Sequence, residues 1–142
     1  MQGRFFEDLS VGDSAGITRI VTASVIEAFA EVSTDSNPVH LDADYAEGTI
    51  FKGRIAHGML SGAYISAVIG MQLPGPGTIY LSQSLRFRRP VRLGDAVDVR
   101  VTVEALVPRR GEVTLSTVCE VGGKRVVEGE AVVLAPRRES AG

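Results

Sequence analysis

The chain has 142 residues, 44% of them hydrophobic, with 15 basic against 17 acidic side chains and a formal net charge of -2. That composition suits one compact domain with a sizeable core and gives no electrostatic footprint for nucleic acid or an anionic membrane. The sole cysteine, Cys119, excludes an internal disulfide and a multi-thiolate metal site, residues 1–8 lack the apolar centre of a signal peptide, and no apolar run approaches the ~20 residues that cross a bilayer. A soluble, cytoplasmic protein is expected.

In chain order, a strand is expected over residues 14–21 and an amphipathic helix over 22–33. In that helix Ser24 and Glu27 have capping-box spacing, and Val25, Phe29 and Val32 recur at i, i+4 and i+7. The helix ends at Asp35-Ser36-Asn37-Pro38-Val39-His40. Proline disfavours helical geometry at Asn37 and fixes its own φ, so the six residues read as a bent loop holding a carboxylate, an amide and an imidazole in fixed directions. Residues 41–48 suit one or two helical turns, with Asp42 as cap and Gly48 as stop. A second main helix is expected over 58–72, and almost all its faces are apolar or small. Such a helix should be buried all round, wrapped by a sheet that compensates for its glycines.

From Thr78 the period becomes two. Ile79, Leu81, Leu85 and Phe87 form one apolar row, Val97 to Val103 a second, Val113 to Val121 a third, and Val127, Ala131 and Val133 a fourth. Gly122-Gly123 reads as a tight hairpin turn. The expected fold is therefore α+β, a strand and helices followed by an antiparallel meander of four long strands that covers the apolar helix. Residues 1–135 are assigned to one domain and 136–142 to a disordered tail. Cys119 lies in an apolar row and reads as a buried, inert thiol.

Chemistry concentrates on few residues. Asp35 and His40 are acid–base candidates, and Asn37 either holds a water or locks the loop. His57, the only other histidine, precedes Gly58 at the start of the apolar helix. It reads either as a structural histidine at the helix entry or as a site residue. The Gly58 N–H, at the positive helix end, is the best candidate to stabilise a developing oxyanion. Asp35, His40 and His57 lack the helical ligand spacing of a metal site, so no metal and no cofactor is expected. Gln83 interrupts an apolar row, so it lines the site or meets a second copy of the chain.

Asp35-Ser36-Asn37-Pro38-Val39-His40, together with Ala56-His57-Gly58-Met59-Leu60, Gln72-Leu73-Pro74-Gly75, Gln83-Ser84-Leu85 and Pro90-Val91, resembles the MaoC-like (R)-specific enoyl-CoA hydratases. The likeness covers about residues 10 to 134 and is strongest to the short, single-domain hydratases of polyhydroxyalkanoate synthesis. It implies a hot-dog fold, in which a long helix is wrapped by an antiparallel sheet, and a homodimer formed edge to edge with the active site at the subunit boundary. It further implies that Asp35 and His40 contact one water, that hydration of trans-2-enoyl-CoA is syn and gives the (R)-3-hydroxyacyl product, and that Ser66 lies near the acyl pocket. A helix serine bonded back to its own turn is the alternative for Ser66. Arg54, Arg86, Arg88 and Arg89 either meet the CoA phosphates or form a solvated face. One departure is Thr34, where many members carry glycine. Three other readings stay open: dehydration of 3-hydroxyacyl-carrier-protein substrates by the same dyad, a hot-dog thioesterase, and a non-catalytic acyl-binding or assembly module, against which the intact Asp35 and His40 argue.

Overall fold

The computed structural model describes residues 3–138. After a short 3₁₀ turn come β1 (Ser14–Ile20), α1 (Ala23–Ser33), α2 (Pro38–Leu41), α3 (Ala43–Glu47), α4 (Gly58–Met71), β2 (Ile79–Gln83), β3 (Arg86–Phe87), β4 (Ala96–Val107), β5 (Glu112–Val121) and β6 (Lys124–Leu134). One six-stranded antiparallel sheet runs β1-β4-β5-β6-β2, with β3 also on β6, and packs across α4. This is the expected hot-dog architecture of the α+β class. Among the described residues no helix is long and apolar enough to cross a membrane.

Alternation sets the register of the central strands. Val97, Val99, Val101 and Val103 are buried, and Val99, Val101 and Val103 pair with Cys119, Thr117 and Leu115 of β5. Burying each such valine is worth about 1.5–3 kcal/mol, so a one-residue slip that turned Asp98 and Arg100 inward is strongly disfavoured. Gly122 and Gly123 both have positive φ, 59° and 79°, as the tight β5–β6 turn requires. Cys119 is fully buried, and desolvation pushes its thiol up to about 12, which makes it inert as read.

Four expectations need correction. First, only β4, β5 and β6 form a meander; the row from Ile79 to Phe87 breaks at Ser84-Leu85 and pairs with β6, the last strand, instead of with β4. The segment after β3 is held elsewhere, by Ala56 N–H to Val91 O at 2.7 Å and by the bonds of Gly94 and Asp95 to Val21, which carry the chain across to the β1 edge. Second, α4 is buried on one side only. Leu60, Ile65, Val68 and Ile69 face the sheet, whereas Met59 and Met71 are 56% and 53% exposed. A single curved sheet has no second layer to cover the other side. Third, α1 is capped by Thr22, whose hydroxyl accepts from Val25 N–H at 3.2 Å, because the helix begins at Ala23 and not after Ser24. Its buried stripe is Ile26 and Ala30, and Val32 lies 85% exposed. Fourth, within the segment expected to be disordered, Pro136 O accepts from Phe6 N–H at 2.7 Å and Arg138 pairs with Asp8. Residues 139–142 lie outside the described residues.

Thr34 closes α1 at φ 66°, in the left-handed region. A β-branched residue is strained there by about 1–2 kcal/mol, which is why glycine suits the position. Thr34→Gly is predicted to raise stability by about 0.5–1 kcal/mol in urea unfolding, after glycine's greater unfolded-state entropy is subtracted. A destabilised variant would show that Thr34 makes contacts outweighing its backbone strain.

Candidate active site

The polar segment is organised by its own side chains. Asp35 Oδ1 accepts from Asn37 N–H at 3.2 Å, and Asn37 Oδ1 accepts from Val39 N–H at 3.1 Å, capping α2. The expected loop is therefore half helix. Proline keeps Asn37 extended at ψ 127° but is itself preorganised for the first helical position, so α2 starts at Pro38 and includes His40. Asn37 acts here through its cap oxygen, in agreement with its loop-locking reading.

His40 is 7% exposed and His57 3%. Their rings stack with centroids 3.9 Å apart and planes at 26°, and Phe29 tilts onto His57 at 4.9 Å. Each imidazole is tied to a main-chain carbonyl. His40 Nδ1 lies 2.8 Å from Ile55 O, and His57 Nε2 lies 2.8 Å from Asp35 O. A carbonyl only accepts, so the proton of each neutral ring sits on the bonded nitrogen, and the tautomers are opposite. His40 keeps a lone pair on Nε2. Arg54 adds a third tether, its Nε donating to His40 O at 2.6 Å.

One carboxylate oxygen of Asp35 and one nitrogen from each imidazole lie within 4.8 Å of one another. A water with two hydrogen bonds of ~2.8 Å at a near-tetrahedral angle separates its partners by about 4.6 Å. The cluster thus matches a water held between acid–base groups. It fits a metal ion poorly, because in-plane lone pairs of stacked rings run side by side and do not converge on one point.

Gly58 is the first residue of α4, where backbone N–H groups lack intrahelical acceptors. Two cavities meet there. One of about 380 Å³ is lined by Phe29, Ser33, Asp35 and Met59; the other, of about 320 Å³, by Phe51, Ile55, Ser61 and Arg89; both share His57, Gly58 and Phe87. A larger depression of about 660 Å³ lies on the outer face of the sheet, between Thr18, Asp98 and Arg125, away from both histidines. The candidate chemistry belongs to the smaller cavities, which combine apolar walls with the buried His57 and the exposed Asp35, while His40 stacks behind His57 and lines neither.

Asp35, His40, His57 and Gly58 are therefore brought together. Ser66 lies two turns further along α4, about 12 Å at 1.5 Å per residue, on the exposed side. Gln83 is also elsewhere. Its Nε2 donates to Thr117 Oγ1 at 3.0 Å and Ser84 O at 2.8 Å, while Tyr80 donates to its Oε1. Two polar interruptions of apolar rows thus satisfy one another across β6, where Gly129, the register partner of Thr117, has no side chain to intervene. Arg88 is paired with Glu128. The sequence reading missed Phe87, Phe29 and the Ile55 carbonyl. Phe87 had been placed among core-facing residues, and a main-chain acceptor leaves no side-chain signature.

The chain was compared with known proteins. Residues 12–122 match the family described as MaoC like domain. An (R)-specific enoyl-CoA hydratase of Rhodospirillum rubrum is 54% identical over 94% of this chain and 93% of its own length. A 3-hydroxybutyryl-CoA dehydratase of Methylorubrum extorquens is 46% identical over 96% of this chain and 87% of its own. The solved structure of an unliganded R-hydratase from Pseudomonas aeruginosa superposes with TM-score 0.92 at 49% identity, covering 99% of this chain and 93% of that one.

A Cβ built on Gly58 would lie 2.8 Å from a ring carbon of Phe87. Gly58→Ala is predicted to cost about 1–3 kcal/mol through this overlap, measured by urea unfolding. Combining it with Phe87→Ala should recover much of the loss, because the two changes share one contact. Additive losses would place the cost of alanine elsewhere.

Proposed function

The chain belongs to the MaoC-like domain family, and on that premise we propose that it is an (R)-specific enoyl-CoA hydratase, adding water reversibly to trans-2-enoyl-CoA. The observation that carries this reading is the Asp35–His40–His57 cluster at the start of α4, with the spacing of a shared water. Hydration needs a proton removed from water as its oxygen bonds to C3, a proton given to C2, and stabilisation of negative charge on the thioester oxygen. Asp35 and His40 perform the two transfers as a pair. Since both act from one side of the bound chain, addition is syn. The Gly58 N–H, with the dipole of a 14-residue helix behind it, faces the developing enolate oxygen and contributes roughly 3 kcal/mol there.

The substrate is an acyl-CoA, and the enzyme works in the cytoplasm as a homodimer. Support for the dimer comes from what one protomer leaves uncovered: Met59 and Met71 on α4, and Ile79 and Leu81 on the edge strand β2, at 56%, 53%, 58% and 48% exposure. An apolar helix flank and an open strand edge each need a cover, and a second copy of the chain can supply it. Ser66, on that exposed flank, then sits near the acyl chain at the subunit boundary.

Asp35→Asn and His40→Ala should each lower turnover of crotonyl-CoA by at least about 10²-fold without loss of fold by circular dichroism. The product should be the (R)-3-hydroxyacyl thioester. Near-normal turnover in either variant removes that residue from the mechanism, and an (S) product rejects the assignment. Parallel assays with enoyl-carrier protein distinguish the dehydratase of carrier-bound chains, and free thiol release from saturated acyl-CoA would reveal a thioesterase. Sedimentation should give a dimer or a multiple of one; a fully active monomer would remove the interfacial site.

A further inference from the structure

Phe87 is an apolar ring left in the open. It lies on β3, a strand of two residues whose register partners on β6 are Glu128 and Val127, and it is 52% exposed. Two glycines make room for it. A Cβ on Gly129 would overlap the carbonyl oxygen of Ser84, so the chain between β2 and β3 can cross β6 there only over a glycine, and a Cβ on Gly58 would lie 2.8 Å from a carbon of the Phe87 ring. Glycine in a strand interior and in the first turn of a helix each lowers stability. Burial does not explain a ring that needs both and stays half exposed.

Its place in the site does. Phe87, His57 and Gly58 line both of the smaller cavities, whereas Asp35 lines only one of them and Arg88 and Arg89 only the other. Resting on the hydratase reading, we propose that Phe87 is a positioning residue: it holds the thioester at the boundary of the two cavities, with the acyl chain on the Asp35 side and the thiol arm on the Arg89 side. The substrate has to bring C3 to the Asp35 carboxylate and its carbonyl oxygen to the Gly58 N–H. Its thiol arm is polar and ends in phosphates, which suits the side that carries Arg89, since Arg88 is already paired with Glu128. The C1–S junction then falls at Gly58, where the Phe87 ring occupies the space that a side chain on residue 58 would fill. The conjugated C3=C2–C1=O unit is flat, and an aromatic wall beside it limits rolling and sliding while its other side stays open to proton transfer. Phe87 carries no proton and stabilises no charge. What it contributes is orientation, which acts on turnover more than on affinity.

Binding and turnover test this separately. The binding probe is butyryl-CoA, which has no double bond to hydrate. The chain contains five phenylalanines, so with ¹³C-labelled phenylalanine the Phe87 ring signal is identified by its loss in Phe87→Tyr. That ring should show NOEs both to the acyl C2 protons and to the S–CH₂ protons of the thiol arm. NOEs to only one of the two, or to neither with the ligand bound, overturn the proposal. In turnover of crotonyl-CoA, Phe87→Ala should lose about 10- to 100-fold in kcat, with KM and the inhibition constant of butyryl-CoA within about threefold of wild type. Phe87→Tyr, which keeps the ring, should stay within about threefold in kcat. A kcat of Phe87→Ala within about twofold of wild type overturns the proposal, and so does butyryl-CoA affinity that falls as far as kcat, the mark of a simple binding contact. An alanine variant that sediments as a monomer beside a dimeric wild type would make Phe87 an interface residue and overturn it too. Should Phe87→Ala fail to fold, Phe87→Leu, apolar but without a flat face, is read by the same criteria, and the NOEs of the wild-type protein decide independently. A wild-type protein that binds butyryl-CoA but hydrates no enoyl-CoA would instead sink the proposed function, and the NOEs would still place the ring.

Discussion

Two imidazoles stacked 3.9 Å apart and almost wholly buried are tolerable only if each has its N–H paired, and the site is organised around that requirement. The carbonyl of Ile55 takes one proton and that of Asp35 the other. Those bonds join two stretches distant in sequence: the polar turn after α1, from Asp35 to His40, and the extended segment from Ile55 to His57 that leads into α4. Arg54 tightens the same junction through the main chain of His40. The two imidazoles are thus positioned by backbone, which is stiffer than a chain of side-chain contacts.

The sheet has a complementary part. It buries one side of α4 and lets the helix N-terminus emerge beside Phe87, where two cavities meet. The other side of α4 and the β2 edge remain apolar and uncovered within the protomer. A helix with apolar residues on every face is hard to reconcile with a lone chain, and it is natural where a second protomer completes the enclosure.

Much of this was legible in the residues, for definable reasons. The rows in β4, β5 and β6 and the Gly122-Gly123 turn follow from period two and from positive φ, both local properties. The bend from Asp35 to His40 was legible because proline dictates the backbone on both sides of itself, leaving Asn37 at ψ 127° and starting α2 at Pro38. Strand order was less accessible. Alternation states which face is apolar but not which strand lies alongside: β2 pairs with β6, and anchors at Val21 and Ala56 hold the chain after β3 apart from it. Gln83 looked like a site residue or a contact with a second copy because a polar interruption in an apolar row needs a partner; within the protomer it bonds the interruption in another row, Thr117, reached across Gly129. The tautomers were invisible, since they depend on main-chain carbonyls that carry no sequence signature.

In the proposed reaction one water, held by a cluster on one side of the site, supplies the oxygen while the same cluster protonates C2. Hydration of crotonyl-CoA in D₂O, with NMR analysis of the 3-hydroxybutyryl product, tests it most directly. A single diastereomer with the C2 deuterium and the C3 oxygen added to the same face of the double bond is predicted. Addition to opposite faces, or a mixture at C2 formed faster than product re-exchange, would contradict it.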